Sequence, residues 1–92
     1  MEGQIVLVRA YSSGVNYGKL VSINGTTVEL QDSQRIYSWS GALETNCIAS
    51  TGVSSAKVSQ VVSKKIILDA IEVIKMTDGA LQTLNACKPW ER

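Results

Sequence analysis

Lys19-Leu20-Val21-Ser22-Ile23-Asn24-Gly25-Thr26-Thr27-Val28-Glu29-Leu30-Gln31 decides the fold class. Asn24-Gly25 between apolar-alternating flanks is a strong hairpin signal, because both residues tolerate the positive φ of a two-residue β-turn. With Asn24 and Gly25 at the centre of the turn, Ile23 faces Thr26, Val21 faces Val28 and Lys19 faces Leu30. Alternation then gathers Val21, Ile23, Val28 and Leu30 on an apolar face and turns Ser22, Thr27, Glu29 and Gln31 outward. Leu20 breaks the outward pattern and is expected to mark a contact with another subunit.

Asp32-Ser33 turns the chain into Gln34-Arg35-Ile36-Tyr37-Ser38-Trp39-Ser40-Gly41. On a regular strand Arg35, Tyr37 and Trp39 share one face, with Ile36 and Ser38 on the other. A guanidinium beside two aromatic rings suits a flat or anionic partner. The same side chains can equally wall a small core with Arg35 at its rim. Both alternatives stay open at this level.

Upstream, Gln4 to Tyr11 is β-branched and continuously apolar, which predicts a central strand covered on both faces. Ile5, Leu7, Arg9 and Tyr11 share one side of it, and Val6, Val8 and Ala10 the other. Ser12 to Gly18 has the composition of a loop, with an exposed Tyr17 between two glycines.

Downstream, Ser40 to Glu44 predicts a helix start, with Ser40 as cap, Leu43, Cys47 and Ile48 on one face and Gly52 as the stop. The free amides of such a start would sit beside Trp39 and favour an anion. Ser50 to Ser63 is loop-like, with a short strand near Val58 and Val61-Val62. Lys65 to Met76 carries a helical apolar stripe, but its β-branched density favours strand with a bend at Asp69-Ala70. Thr77 then caps a helix with Asp78 in its first turn and Leu81, Leu84 and Cys87 at helical spacing. Pro89 stops it, and Trp90 packs back to anchor the tail. The expected architecture is α+β: a small, curled antiparallel sheet of four to six strands, a partly open barrel, with two short helices in one domain spanning residues 1–92.

Composition removes several functions. The net charge of +1 is not the footprint of a general nucleic-acid binder. Lys57, Lys64 and Lys65 read as solvated lysines around a turn. There is no histidine, so no histidine-based triad or metal centre is available. Cys47 and Cys87 are expected as packed, reduced thiols. No metal and no cofactor is implied. No segment resembles a signal peptide or approaches the ~20 apolar residues that span a bilayer, so no membrane partner is expected. The low charged share, 18%, favours a chain that hides surface against copies of itself or a partner.

The string Arg35-Ile36-Tyr37-Ser38-Trp39-Ser40-Gly41-Ala42 resembles a family of small uncharacterised proteins from tailed phages and prophages. The likeness extends to Val8-Arg9, Ser13-Gly14-Val15, Gly18, Ala70-Ile71-Glu72-Val73-Ile74, Thr77 and Trp90. It implies a phage origin, the cytoplasm of an infected bacterium or the virion as location, and no established activity. Nothing points to an enzyme. The expected function is capture of a small anionic, nucleotide-like ligand by an oligomer, as in sequestration of host defence signals. Arg9 and Arg35 would pair with phosphate, Tyr37 and Trp39 would stack on a base, and Ser40 with the Gly41 amide would hold an oxyanion. The alternative is a protein–protein module that inhibits a host factor or forms a minor part of a virion, since Trp, Tyr and Arg are also usual interface anchors.

Overall fold

The structure, a computed structural model, describes residues 1–89. The elements in chain order are β1 (Ile5–Ala10), β2 (Gly14–Asn24), β3 (Thr27–Ser40), α1 (Thr45–Ser50), β4 (Ser55–Val58), β5 (Val62–Ile67), β6 (Ala70–Lys75) and α2 (Asp78–Asn85). The six strands form one antiparallel sheet in the order β4-β3-β2-β1-β6, with β5 also paired to β3. The expected α+β class and the two short helices are therefore present. Trp90, read as a tail anchor, lies outside the described residues. Among the described residues no helix is long and apolar enough to cross a membrane.

The sheet curls but does not close. In a flat sheet β5 and β1, three strands apart, would lie roughly 14 Å from each other at about 4.8 Å per strand. Instead Ile67 of β5 and Val6 and Val8 of β1 belong to one buried cluster with Ala10, Leu20, Val28 and Leu30. Only Leu68 and Asp69 separate β5 from β6 along the chain, yet each pairs with a different strand and not with the other. This inner core is one face of the sheet. The opposite face packs Leu7, Val15, Tyr17 and Ile36 against Ile48 and Ala49 of α1 and Ala80 and Leu84 of α2. β1 lies between β2 and β6 with Val6, Leu7 and Val8 fully buried, as its unbroken apolar run requires.

The hairpin is present, but its register differs by one residue from expectation. Asn24 pairs with Thr27 and Ile23 with Val28, so Gly25 and Thr26 form the turn, and Gly25 takes φ 62°. A bulge follows between Leu20 and Ser22. Together they place Leu20 in the inner core and leave Val21 and Ile23 partly exposed, so Leu20 is a core residue and not a subunit contact.

The presumed loop Ser12–Gly18 is mostly strand. Val15, Asn16 and Tyr17 pair with Arg9, Val8 and Leu7, because a neighbouring strand overrides weak local propensity. Residues 65–76 are two strands joined by a bend at Leu68-Asp69, close to the predicted break.

The helices are tied end to end. Thr77 caps α2 by accepting from the Ala80 amide at 3.1 Å, and its hydroxyl donates to the Ser50 carbonyl of α1 at 2.9 Å. Gly52 ends α1 at φ 92°, where a Cβ would collide with the Thr83 side chain. Cys47 and Cys87 are unbridged and half-buried.

Tyr17 is buried at 4% exposure rather than exposed. Its hydroxyl donates to Gln34 Oε1 at 2.9 Å. Burial, with a smaller push from Cys87, raises its phenol from 10.0 to about 12. The unfolded chain therefore binds fewer protons between pH 10 and about 12, and stability falls as pH rises through that window. Urea unfolding at a series of pH values should show this decline, and Tyr17→Phe should flatten it.

Candidate functional site

β3 outruns its partner. Ile36 pairs with Val58 and Ser38 with Lys57, so Tyr37 is the extra residue of a β-bulge. Regular alternation would return Trp39 to the side of Arg35. The bulge sends it to the side of Ile36 instead. Ile36 belongs to the helix-side core, and the Trp39 indole packs on that same core, donating from Nε1 to the Ala42 carbonyl at 3.2 Å. Arg35 is opposite Asn16, and Asn16 is opposite Val8 of the inner core. Facing residues share a side, so Arg35 lies on the inner-core side. The expected common face of Arg35, Tyr37 and Trp39 does not form.

The six predicted site residues fall in three places. Arg35 and Tyr37 line a cleft of about 390 Å³ with Ser33, Ser59, Val62 and Lys65. Arg9 and Trp39 line a second, of about 380 Å³, beside Glu44, Thr45 and Glu72. There the Arg9 guanidinium donates to Glu72 Oε1 at 3.4 Å, which also accepts from Thr45 Oγ1 at 3.1 Å. Its charge is answered within the chain, and two carboxylates face the cleft. Arg9 therefore does not join Arg35 around one anion.

Ser40 and Gly41 belong to neither cleft. β3 runs through Ser40, whose hydroxyl bonds that of Ser55 at 2.7 Å. Gly41 takes φ 86°, and a Cβ there would collide with Ser54. The helix begins later, at Thr45, with Glu44 as its cap and Leu43 89% exposed. Glu44 accepts from the Asn46 amide at 2.9 Å, so a carboxylate already occupies the end where an anion was expected. The sequence misleads because serine caps helices and also ends strands; only the pairing of Ser40 with Ser55 decides between them.

The Arg35 cleft opens at one end of the curled sheet. Ser59 clamps its backbone: the Arg35 amide donates to Ser59 Oγ at 2.8 Å, and the Ser59 amide returns to the Arg35 carbonyl at 2.8 Å. Gln34 Nε2 donates to the Ser59 carbonyl at 2.9 Å, linking this clamp to buried Tyr17. Lys65 reaches in from β5 and donates from Nζ to Asn16 Oδ1 at 2.7 Å. Burial, and then the nearby Arg35 charge, hold the Lys65 amine below its ordinary pKa. Ser33 is wholly buried, and Gly18 leaves room for it, since a Cβ on Gly18 would stand 3.1 Å from Ser33 Cα.

Two buried polar atoms of the residues that line this cleft, Ser33 Oγ and Arg35 Nε, have no hydrogen-bond partner among the described residues. Among the described residues no carboxylate pairs with Arg35 or Lys65. The cleft thus holds two cations, two unused buried donors and a Tyr37 ring 57% exposed at its rim. Ser33 and Lys65 were missed in the sequence. Lys65 was legible in principle: two residues from an inward Ile67 on one strand, it must face inward, while Lys64 turns out to Glu29 at 3.9 Å.

Residues 3–84 match a family described as a domain of unknown function, DUF6948. No curated protein and no solved structure matches the chain.

The two roles separate on substitution. Gly41→Ala should lower stability by about 1–3 kcal/mol in urea unfolding, from its backbone conformation and the Ser54 collision. Tyr37→Ala, at an exposed position, should change it by less than about 1 kcal/mol. Equal losses would refute the assignment of Gly41 to structure and Tyr37 to surface.

Proposed function

We propose that this chain, which belongs to the DUF6948 family, is a non-enzymatic binding protein that captures a small anionic, nucleotide-like ligand in the cleft of Ser33, Arg35, Tyr37 and Lys65. One observation carries this reading: Arg35 and Lys65, which no carboxylate among the described residues neutralises, line one cleft with Ser33, and the buried atoms Ser33 Oγ and Arg35 Nε of that lining have no partner among the described residues. A buried donor without a partner costs about 1–3 kcal/mol, and an anion in the cleft satisfies these two once a small local shift opens them to it. Arg35 and Lys65 bind the charge, Ser33 donates to one oxygen, and Tyr37 offers its ring to a base. The likeness to small tailed-phage proteins supports sequestration of a host nucleotide signal as the setting.

A second reading, a module that binds a host or virion protein, draws on one feature. Val61, Val62, Ile66, Leu68 and Ile71 are all about half exposed or more along β5 and β6. These exposed apolar side chains suit a second copy of this chain, in keeping with an oligomeric binding protein. Light scattering at micromolar concentration should then give a mass above that of one chain, and a clean monomer would count against association.

Thermal-shift and calorimetric titration against a panel of nucleotides and other small anions tests the first reading. At least one should bind. Arg35→Ala should abolish that binding while moving the melting temperature little, because it removes an unsatisfied donor along with the charge. A panel without any shift, or full binding by Arg35→Ala, would overturn the reading.

A further inference from the structure

Resting on that reading, we infer that the cleft selects a terminal phosphate monoester and discriminates against a phosphodiester. The basis is charge and donor number. Arg35 and Lys65 bring two positive charges, and none of the described lining residues is acidic. The Lys65 N–H groups not given to Asn16 are available, and Ser33 Oγ–H and Arg35 Nε–H, buried and without a partner among the described residues, join them once a small local shift opens them to the cleft. A monoester presents three terminal oxygens and a charge of about −1.5 to −2 near pH 7. A diester has only two such oxygens and one negative charge, and would leave one cation of this partly buried pair unanswered.

The surroundings of Lys65 support the count. From β3 it faces Arg35, and from β2 the neutral, fully buried Asn16. On its far side an adjoining cleft carries Asp69, whose carboxylate is engaged by the Ser12 hydroxyl at 2.6 Å and amide at 2.9 Å. Lys64, next in sequence, is turned to Glu29. Among the described residues no carboxylate forms an ion pair with Arg35 or Lys65 to offset their repulsion, and a dianion answers both at once. A monoanion cannot.

Calorimetry with adenosine 5′-monophosphate, its methyl phosphodiester and inorganic phosphate tests this. The base and ribose are common to the first two, so only the ester class differs. The monoester should bind at least ~10-fold more tightly at pH 7, and the gap should narrow as pH falls through the second phosphate ionisation near ~6. Lys65→Gln, which keeps a donor for Asn16 but drops the charge, should shrink the gap. Ser33→Ala should weaken the monoester without unfolding the chain. Equal or tighter binding of the diester would overturn the inference and leave anion capture standing. No binding by any of the three would overturn the inference, while the capture reading falls only if the wider panel of anions also fails to bind.

Discussion

The long strand β3 carries one residue more than β4 can match, and the surplus at Tyr37 decides which side chains meet. Before the bulge, Ser33 and Arg35 line the inner side of the curled sheet; after it, Trp39 belongs to the helix-side core. A single extra residue changes the side of everything beyond it, because strand periodicity is two. The guanidinium and the indole are close in sequence and separated by the sheet itself. The cleft and the packing of the second layer both follow from that offset.

Two small cores on opposite faces of one sheet suit a short chain. Curling lets β1, β2, β3, β5 and β6 enclose the inner core without help from a helix, which leaves α1 and α2 free to cover the other face. The helices are held by the helix-side core through Ile48, Ala49, Ala80 and Leu84, and are joined to one another by the Thr77 and Thr83 hydroxyls and the close approach at Gly52. The open end of the curl is where hydrophobic filling stops. Polar side chains collect there: Asn16 and Ser33 are fully buried, and Arg35 and Lys65 half-buried.

Energetically this end is an exception to the rest of the molecule. Two unsatisfied buried donors together forgo roughly 2–6 kcal/mol, in a domain whose whole stability is expected near 5–15 kcal/mol. An apolar residue at position 33 would avoid part of that cost. A ligand that supplies acceptors recovers it, which is the physical content of the proposal. The Arg9 cleft shows the contrast, since Glu72 answers its cation.

Elements were legible wherever a local signal sufficed. The continuous apolar run of β1, the Asn24-Gly25 neighbourhood, the break near Asp69 and the Thr77 cap all appear close to where the residues put them. What failed depended on pairing. The turn shifted by one residue, Gly14 to Gly18 became strand, Ser40 ended a strand rather than starting a helix, and Tyr17 went inside. Sequence by itself determined the α+β class and the presence of an arginine and aromatics on one strand, because strand and cap preferences are properties of a few adjacent residues. The partners of that arginine were decided only in three dimensions. Ser33 shares its side by alternation along β3, Lys65 meets it through the pairing of β5 with β3, and the bulge at Tyr37 takes Trp39 away; the last two arise from registers between strands that no single segment encodes.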